Sequence, residues 1–556
     1  MTTWEPALRA AAGHPRRALR SPVVAATLLA ALLHGLWALF LAADAGDLAA
    51  QYAWTDFTME HPDSAYNLSW YGGIHPASYS LLSPYLIGEL GVRTTGVLAG
   101  TLAAALAAGL LVRAGLVRPM APALWTALAL SCNAVSGRVT FAVGVALGLA
   151  ALAPALGPPG AGRRVAAFLL AALATMNSPV AGLFLVVAAA ALTLTGRHRS
   201  AATLATGPVL VVAGTALAFP FHGVQPFDWW VAAPLLAALV AGVLLVPRAW
   251  RAVRAGAAVY AAGVAVTWAV PSPVGSNVER LALLFAGTVL LAAALEARAD
   301  GRADGWAGGR PDGWAGRRRW LVLGVAFLAV AAWQVGKPVG DLISAGPSAG
   351  ETRPTASLLD ELRRIGADRG RIEVVPLRSH QEASALAPYV YLARGWNRQA
   401  DVARNPLFYD HTLTPDSYRA WLRHWGVGYV VLPTARPDDA AVAEAAIVAA
   451  GYGWLDQVWR DEGWRLFRVA DPTPLVDPPA TVRQAGPADL TLDVPQAGEV
   501  RLRVPWSPWL GVEEAPGGAV GCLSAAGEWT VLHAPAAGTY RIGARYRLTR
   551  GAPCRP

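Results

Sequence analysis

Lysine is almost missing from this 556-residue chain: Lys337 stands alone among 46 basic residues. Charge of either sign is scarce, at 15% of residues against a usual quarter, while 54% are hydrophobic and mean hydropathy is positive. That balance excludes a soluble globular enzyme and points to a polytopic membrane protein. A net charge of +9 would suit a nucleic-acid partner, but the arginines fall in short clusters between apolar segments, where they set membrane orientation. DNA and RNA binding are therefore set aside. Cysteine occurs three times. Cys132 lies within an apolar run and reads as an inert small hydrophobe. Cys522 and Cys554 lie near the C-terminus, and their spacing leaves a disulfide and two free thiols equally open. No Walker or dinucleotide pattern occurs, so the cytoplasmic side offers no nucleotide site. What abounds is Ala, Gly, Arg and Pro, the composition of a GC-rich bacterial genome.

Residues 1–21 carry Arg9, Arg16, Arg17 and Arg20 and are expected in the cytoplasm. The run at 22–43 crosses outward; a cleavable signal peptide is the rival reading. Further apolar runs at 92–112, 120–134, 139–156, 164–176, 179–195, 201–218, 230–246, 255–271, 280–295 and 320–336 bring the total to about eleven spans. Alternate connections hold Arg113 and Arg118, Arg163 and Arg164, Arg197 and Arg199, Arg248 with Arg251 and Arg254, then Arg298 through Arg319. This alternation is the positive-inside rule. The breaks at Asn133–Arg138 and Asn177-Ser178-Pro179 are short, and read either as tight hairpins or as the lip of a wet cavity on the outer side. The Asp-Gly-Trp-Ala-Gly repeat at 304–308 and 312–316 marks a flexible cytoplasmic linker.

After residue 336 the composition changes. An odd number of crossings puts the remainder outside the cytoplasm. Segment 337–470 reads as an α/β domain, with helices at 357–367, 417–425 and 439–450 and strands at 371–377, 429–432 and within 455–469. Segment 471–556 alternates apolar and polar residues and reads as a small β-sandwich. Its Trp506, Trp509 and Trp529 are either core residues or platforms for sugar rings.

The loop after the first span reads Leu41-Ala-Ala-Asp44-Ala-Gly-Asp47-Leu-Ala-Ala-Gln51, placing two carboxylates near a membrane surface. A carboxylate there is costly without water, a partner or a task. An inside N-terminus, an Asp after the first span, short outer helix pairs and an exported C-terminal half together resemble the GT-C superfamily of polyprenyl-phosphate-sugar-dependent glycosyltransferases. Gly46-Asp47-Leu48 followed by Gln51 is similar to the first-loop pattern of the YfhO-type branch of bacterial membrane proteins. Trp421-Leu-Arg-His-Trp-Gly-Val-Gly-Tyr-Val-Val-Leu432 resembles exported segments of that branch. The resemblance implies a GT-C-like membrane domain at 22–336 in a bacterial plasma membrane. Its implied partners are the lipid bilayer, a polyprenyl-phosphate-linked sugar donor, and an envelope glycan or glycoprotein acceptor.

The resemblance also carries the role of general base onto Asp47, with Asp44 as substitute or partner, because an attacking hydroxyl must lose its proton. Capping of a following helix at 48–58 is the plainer role for either Asp. The departing phosphate needs cations, for which Arg138 and Arg280 are candidates, the latter accompanied by Asn277 and Glu279; Arg93 ranks third. His75, delivered by Trp70-Tyr-Gly-Gly-Ile-His75-Pro, is a candidate substrate contact. His61, Asp63 and His75 are candidates for substrate or a divalent cation, although their spacing matches no compact zinc signature, and no metal ligands or cofactor are assigned. His34, in mid-span, reads as a packed or hydrogen-bonded core residue. Two other functions fit the same scaffold: a multispanning secondary transporter, against which stand the large exported half and the lack of an internal repeat, and a non-catalytic envelope assembly protein.

Overall fold

The structure, a computed structural model, describes residues 20–43, 46–306, 313–345, 354–547, 550–551 and 553–554. The chain forms two compact units, one from Met1–Ala42, Glu89–Ala218 and Gln225–Ile343, the other from Ala43–Gly88, Phe219–Val224 and Ser344–Pro556.

The first unit is helical, and each apolar run expected from the sequence lies on a helix. Six helices are long and apolar enough to cross a membrane: Pro22–Leu41, Val92–Arg113, His198–Ala218, Arg251–Ala269, Gly275–Ala299 and Arg318–Ser344. Met120–Val135, Val139–Ala155, Pro179–Leu194 and Trp229–Leu245 are shorter apolar helices. Their burial is inverted relative to a soluble bundle. Inside are small residues such as Ala26, Ala30, Ala103, Ala107, Ala123 and Ala127, while Leu28, Leu32, Leu39 and Phe40 are exposed. Small side chains let helix backbones approach closely in lipid, where exposing Leu costs nothing. This is a membrane protein.

Local chemistry sets the breaks. Ser178 caps the helix Pro179–Leu194 by accepting from the Ala181 N–H, with Pro at the first helical position. Gly137, at φ +72°, turns the chain between Met120–Val135 and Val139–Ala155. Both breaks are short, with few residues between the helices that flank them. The linker expected at 298–319 is helical as far as Trp306 and again from Gly313, and its central residues lie outside those described.

Several polar groups inside this unit are paired. His34 bonds the Ala30 carbonyl (2.8 Å) and lies 3.2 Å from Ser131 Oγ. Gln334 accepts from Trp125 Nε1 (2.9 Å) and donates to the Leu283 carbonyl (2.7 Å).

The second unit holds a mixed five-stranded sheet, from β1 (Arg371–Val374), β2 (Tyr391–Leu392), β3 (Val427–Pro433), β4 (Leu455–Arg460) and β5 (Trp464–Val469), in the order β2-β1-β3-β5-β4. β1 pairs in parallel with β2 and β3, whereas β3, β5 and β4 are antiparallel. The helices Ala356–Arg364, Pro415–Trp425 and Val442–Ala450 accompany it. Beyond lies an antiparallel sandwich of β6 (Thr481–Ala485), β7 (Asp489–Val494), β8 (Gly498–Pro505), β9 (Gly511–Glu514), β10 (Cys522–Ala526), β11 (Trp529–Ala534) and β12 (Gly538–Gly543). Its sheets, β10-β11-β8 and β6-β7-β12-β9, enclose Leu492, Leu502, Leu523, Leu532 and Tyr540. Cys522 and Cys554 are joined in a disulfide. Trp509 is buried and stacks on Phe219, a core role.

Residues 43–88 belong to the hydrophobic cores of this unit. Trp54, Trp70, Tyr71 and Ile74 pack with Leu358, Ile372 and Leu466, while Ala65, Tyr66 and Leu68 pack with Leu492 and Leu510. Backbone bonds tie the loop in at Leu392 N–H to the Ser69 carbonyl and Leu68 N–H to the Pro487 carbonyl, each 2.8 Å.

Candidate functional site

In the helical unit, four ionisable side chains meet. Arg138 Nη2 lies 3.4 Å from Asp341 Oδ2, and Lys337 Nζ lies 3.2 Å from Asp341 Oδ1 and 3.7 Å from Glu279 Oε1. Ser136 Oγ donates to Asp341 Oδ2 at 2.9 Å. Arg280 places its guanidinium 5.4 Å from the centre of the Phe141 ring. Glu279 and Asn277 are buried in the 3₁₀ turn Gly275–Glu279. That turn is held by the Tyr260 hydroxyl, which donates to the Val278 carbonyl. Arg138, Arg280 and Glu279 from the sequence reading thus gather with two residues it missed, Lys337 and Asp341. The available signal was the chain's lone lysine, placed one helical turn before an aspartate. The cluster lies at the helix ends remote from Arg118, Arg298 and Arg318. Arg93 is the second residue of the helix Val92–Arg113.

In the second unit, Asp47 is the first residue of the helix Asp47–Glu60 and Gly46 occupies the cap at φ +59°. The capping role weighed for Asp47 therefore falls to Gly46, and Asp47 stands half-buried in the first turn, where a negative charge complements the helix dipole. Asp44 lies outside the described residues. Gly46 is tied to the α/β segment by its N–H to the Ser379 carbonyl (2.8 Å) and by Trp396 Nε1, which donates to its carbonyl at 2.8 Å. Around this junction stand His380, 3.8 Å from both Glu382 and Asp438, and Arg398, which bonds Asp438 at 2.7 Å.

His75 is a core residue of the second unit. Its Nδ1 bonds the Ala65 carbonyl (2.8 Å), its Nε2 lies 3.2 Å from Ser507 Oγ, and its ring packs on Tyr66 and Phe219. Burial lowers its pKa to about 4, against the opposing pull of the Ala65 bond, so the ring is neutral at pH 7. His61 lines a cleft of about 120 Å³ together with Thr58, Ser64, Tyr85 and Tyr546. Asp63 lies 3.7 Å from Arg545. Among the described residues, no group of three or more His, Cys, Asp or Glu is arranged to hold a metal ion.

A third charged group is fully buried. Arg394 bonds Glu373 and Glu444 and lies 3.8 Å from Asp401, while Tyr418 donates to Glu444 at 2.9 Å.

Residues 477–556 match a family described as a domain of unknown function, DUF8823. No curated protein matches the chain. Among solved structures, the chain is similar to the arabinofuranosyltransferase AftD from mycobacteria, at 14% identity and a TM-score of 0.43, over 86% of this chain. It spans 41% of the length of that chain.

Proposed function

We propose that this protein is a membrane glycosyltransferase that moves a sugar from a polyprenyl-phosphate donor to a cell-envelope acceptor on the outer face of a bacterial plasma membrane. The observation that carries the reading is the group Arg138, Glu279, Lys337 and Asp341 within an apolar helical unit. Ionisable groups at membrane depth are expensive and mark the paths of charged substrates. Alternating basic connections support an inside N-terminus and an outer position for this group. The resemblance of the first loop to the GT-C pattern supports the choice of reaction.

On this reading the Asp47 carboxylate takes the proton from the acceptor hydroxyl as its oxygen bonds to the anomeric carbon. The bond from that carbon to the phosphate oxygen breaks, and the lipid phosphate leaves with the electron pair. Within the helical unit, the cations Arg138, Arg280 and Lys337 suit contact with the phosphate of the donor. Glu279 and Asp341 hold these cations in place and limit their net charge, so the spent lipid phosphate is released.

The test is transfer from a radiolabelled polyprenyl-phosphate sugar by the full chain in lipid nanodiscs. Asp47→Asn is expected to insert normally and lose at least 100-fold in turnover, while Lys337→Gln weakens donor binding. Unchanged turnover in Asp47→Asn removes the proposed base. Substrate flux across proteoliposomes without any lipid-linked sugar would favour a transporter instead.

A further inference from the structure

A left-handed backbone position in the second unit lies where the first loop enters its helix. Gly46 is held at φ +59°, a conformation that L-residues rarely adopt, and both of its peptide groups are bonded to residues more than 300 positions away. Its N–H donates to the Ser379 carbonyl and its carbonyl accepts from Trp396 Nε1. The Trp396 ring stacks on the His380 imidazole, with centroids 3.4 Å apart and planes 10° apart. The Arg398 guanidinium sits 5.2 Å from the same indole and bonds Asp438.

This corner is costly to build. His380 is a non-glycine residue at φ +56°, and Ser379 Oγ, His380 Nδ1 and Glu382 Oε2 are buried without a hydrogen-bond partner among the described residues. Strain and unpaired buried polar atoms on adjacent positions persist where they serve a task beyond packing. The feature they surround is the Gly46–Asp47 junction.

We propose that Ser379, His380 and Trp396 form a positioning element that fixes the Gly46–Asp47 junction and so aims the Asp47 carboxylate; this rests on the reading of Asp47 as the general base. Ser379 and Trp396 clamp the two peptide groups of Gly46. His380, set between Glu382 and Asp438, holds the indole plane so that its N–H meets the Gly46 carbonyl. A misplacement of about 1 Å at a catalytic group is worth roughly 100-fold in rate, so a clamp of this kind acts on turnover and leaves substrate binding alone.

The test uses Trp396→Phe, which keeps an aromatic ring on His380 and removes the indole donor to the Gly46 carbonyl while leaving the Ala49 N–H on it, in the full-length protein in nanodiscs. Amide exchange over residues 46–50 is expected to accelerate at least tenfold, with exchange in β3 unchanged, and kcat for sugar transfer to fall about tenfold or more at constant KM. His380→Phe, which keeps a stacked ring, is expected to retain most of the protection. Unchanged exchange at 46–50 overturns the proposal. So does equal loss of protection in β3, which would make Trp396 merely structural, and so does a rise in KM at constant kcat. Should the unmodified protein show no sugar transfer, the glycosyltransferase reading fails, while the exchange data still decide whether the clamp exists.

Discussion

Arg394 donates from Nε to Glu373 Oε1 at 2.8 Å, and the Glu373 side chain has no exposed surface. The same guanidinium bonds Glu444 and approaches Asp401, so one cation serves three buried carboxylates. Burial pushes the Glu373 pKa well above the ordinary carboxylate value and raises that of Glu444, against the pull of Arg394.

A carboxyl with a raised pKa in the folded state binds more protons folded than unfolded. Its contribution is complete below about pH 4.5 and is lost as pH rises through the folded value. Unfolding of the second unit, followed by tryptophan fluorescence in the full chain, should therefore show stability falling from mildly acidic to alkaline pH. Glu373→Gln is expected to flatten that slope and to gain stability at pH 8. Arg394→Met should cost about 3–5 kcal/mol, because it strands buried acids without a partner.

His75 carries the opposite sign. Its pKa falls from 6.5 to about 4 in the fold, so the folded state binds fewer protons than the unfolded chain between those values. The associated stability is complete above pH 6.5, amounts to about 3 kcal/mol, and is lost as pH drops towards 4. In His75→Phe that acid-side loss should vanish, as read from unfolding midpoints at pH 7, 6 and 5. A slope identical to that of the unmodified protein would mean that His75 titrates normally.

The Cys522–Cys554 disulfide closes a loop with a sequence separation of 32. Replacing both cysteines with Ser is expected to cost about 2–4 kcal/mol, measured as a lower unfolding midpoint without reductant. Such a bond persists in an oxidising compartment. Thiol labelling of intact cells should find Cys522 and Cys554 unreactive until a reductant is added, and free thiols in untreated cells would contradict an extracytoplasmic second unit.

Much of the fold was legible because apolar periodicity and arginine placement are local signals. The runs at 92–112 and 139–156 became the helices Val92–Arg113 and Val139–Ala155 almost residue for residue, and the segment 417–425 became Pro415–Trp425, started by a Thr414–Ser417 capping box. His34, in the middle of the first span, is the buried, hydrogen-bonded core residue that its position implies. Less visible was whatever depends on distant partners. The apolar run at 320–336 stops at Gly336, yet the helix continues through Pro338 to Ala345, with Lys337 paired to both Asp341 and Glu279. The sequence around His75 implies a residue delivered by a tight turn. Its ring is buried between near partners, Ala65 and Tyr66, and a distant one, Ser507, 432 positions away, which no pattern near residue 75 reveals. The helices Gln381–Leu386 and Arg398–Arg404, which carry the corner around Gly46, are too short to show a helical period.

Residues 43–88 supply Trp54, Trp70, Tyr71 and Ile74 to the core that Leu358, Ile372 and Leu466 complete. Between those parts in sequence lies almost the entire helical array. During synthesis the early segment emerges with its aromatic surface uncovered and waits until translation is nearly finished, an aggregation-exposed interval of the kind that long-range contacts impose. A fragment begun at Ser344 would be born without those aromatics. Preparing this half as an independent soluble body requires grafting the early segment onto it.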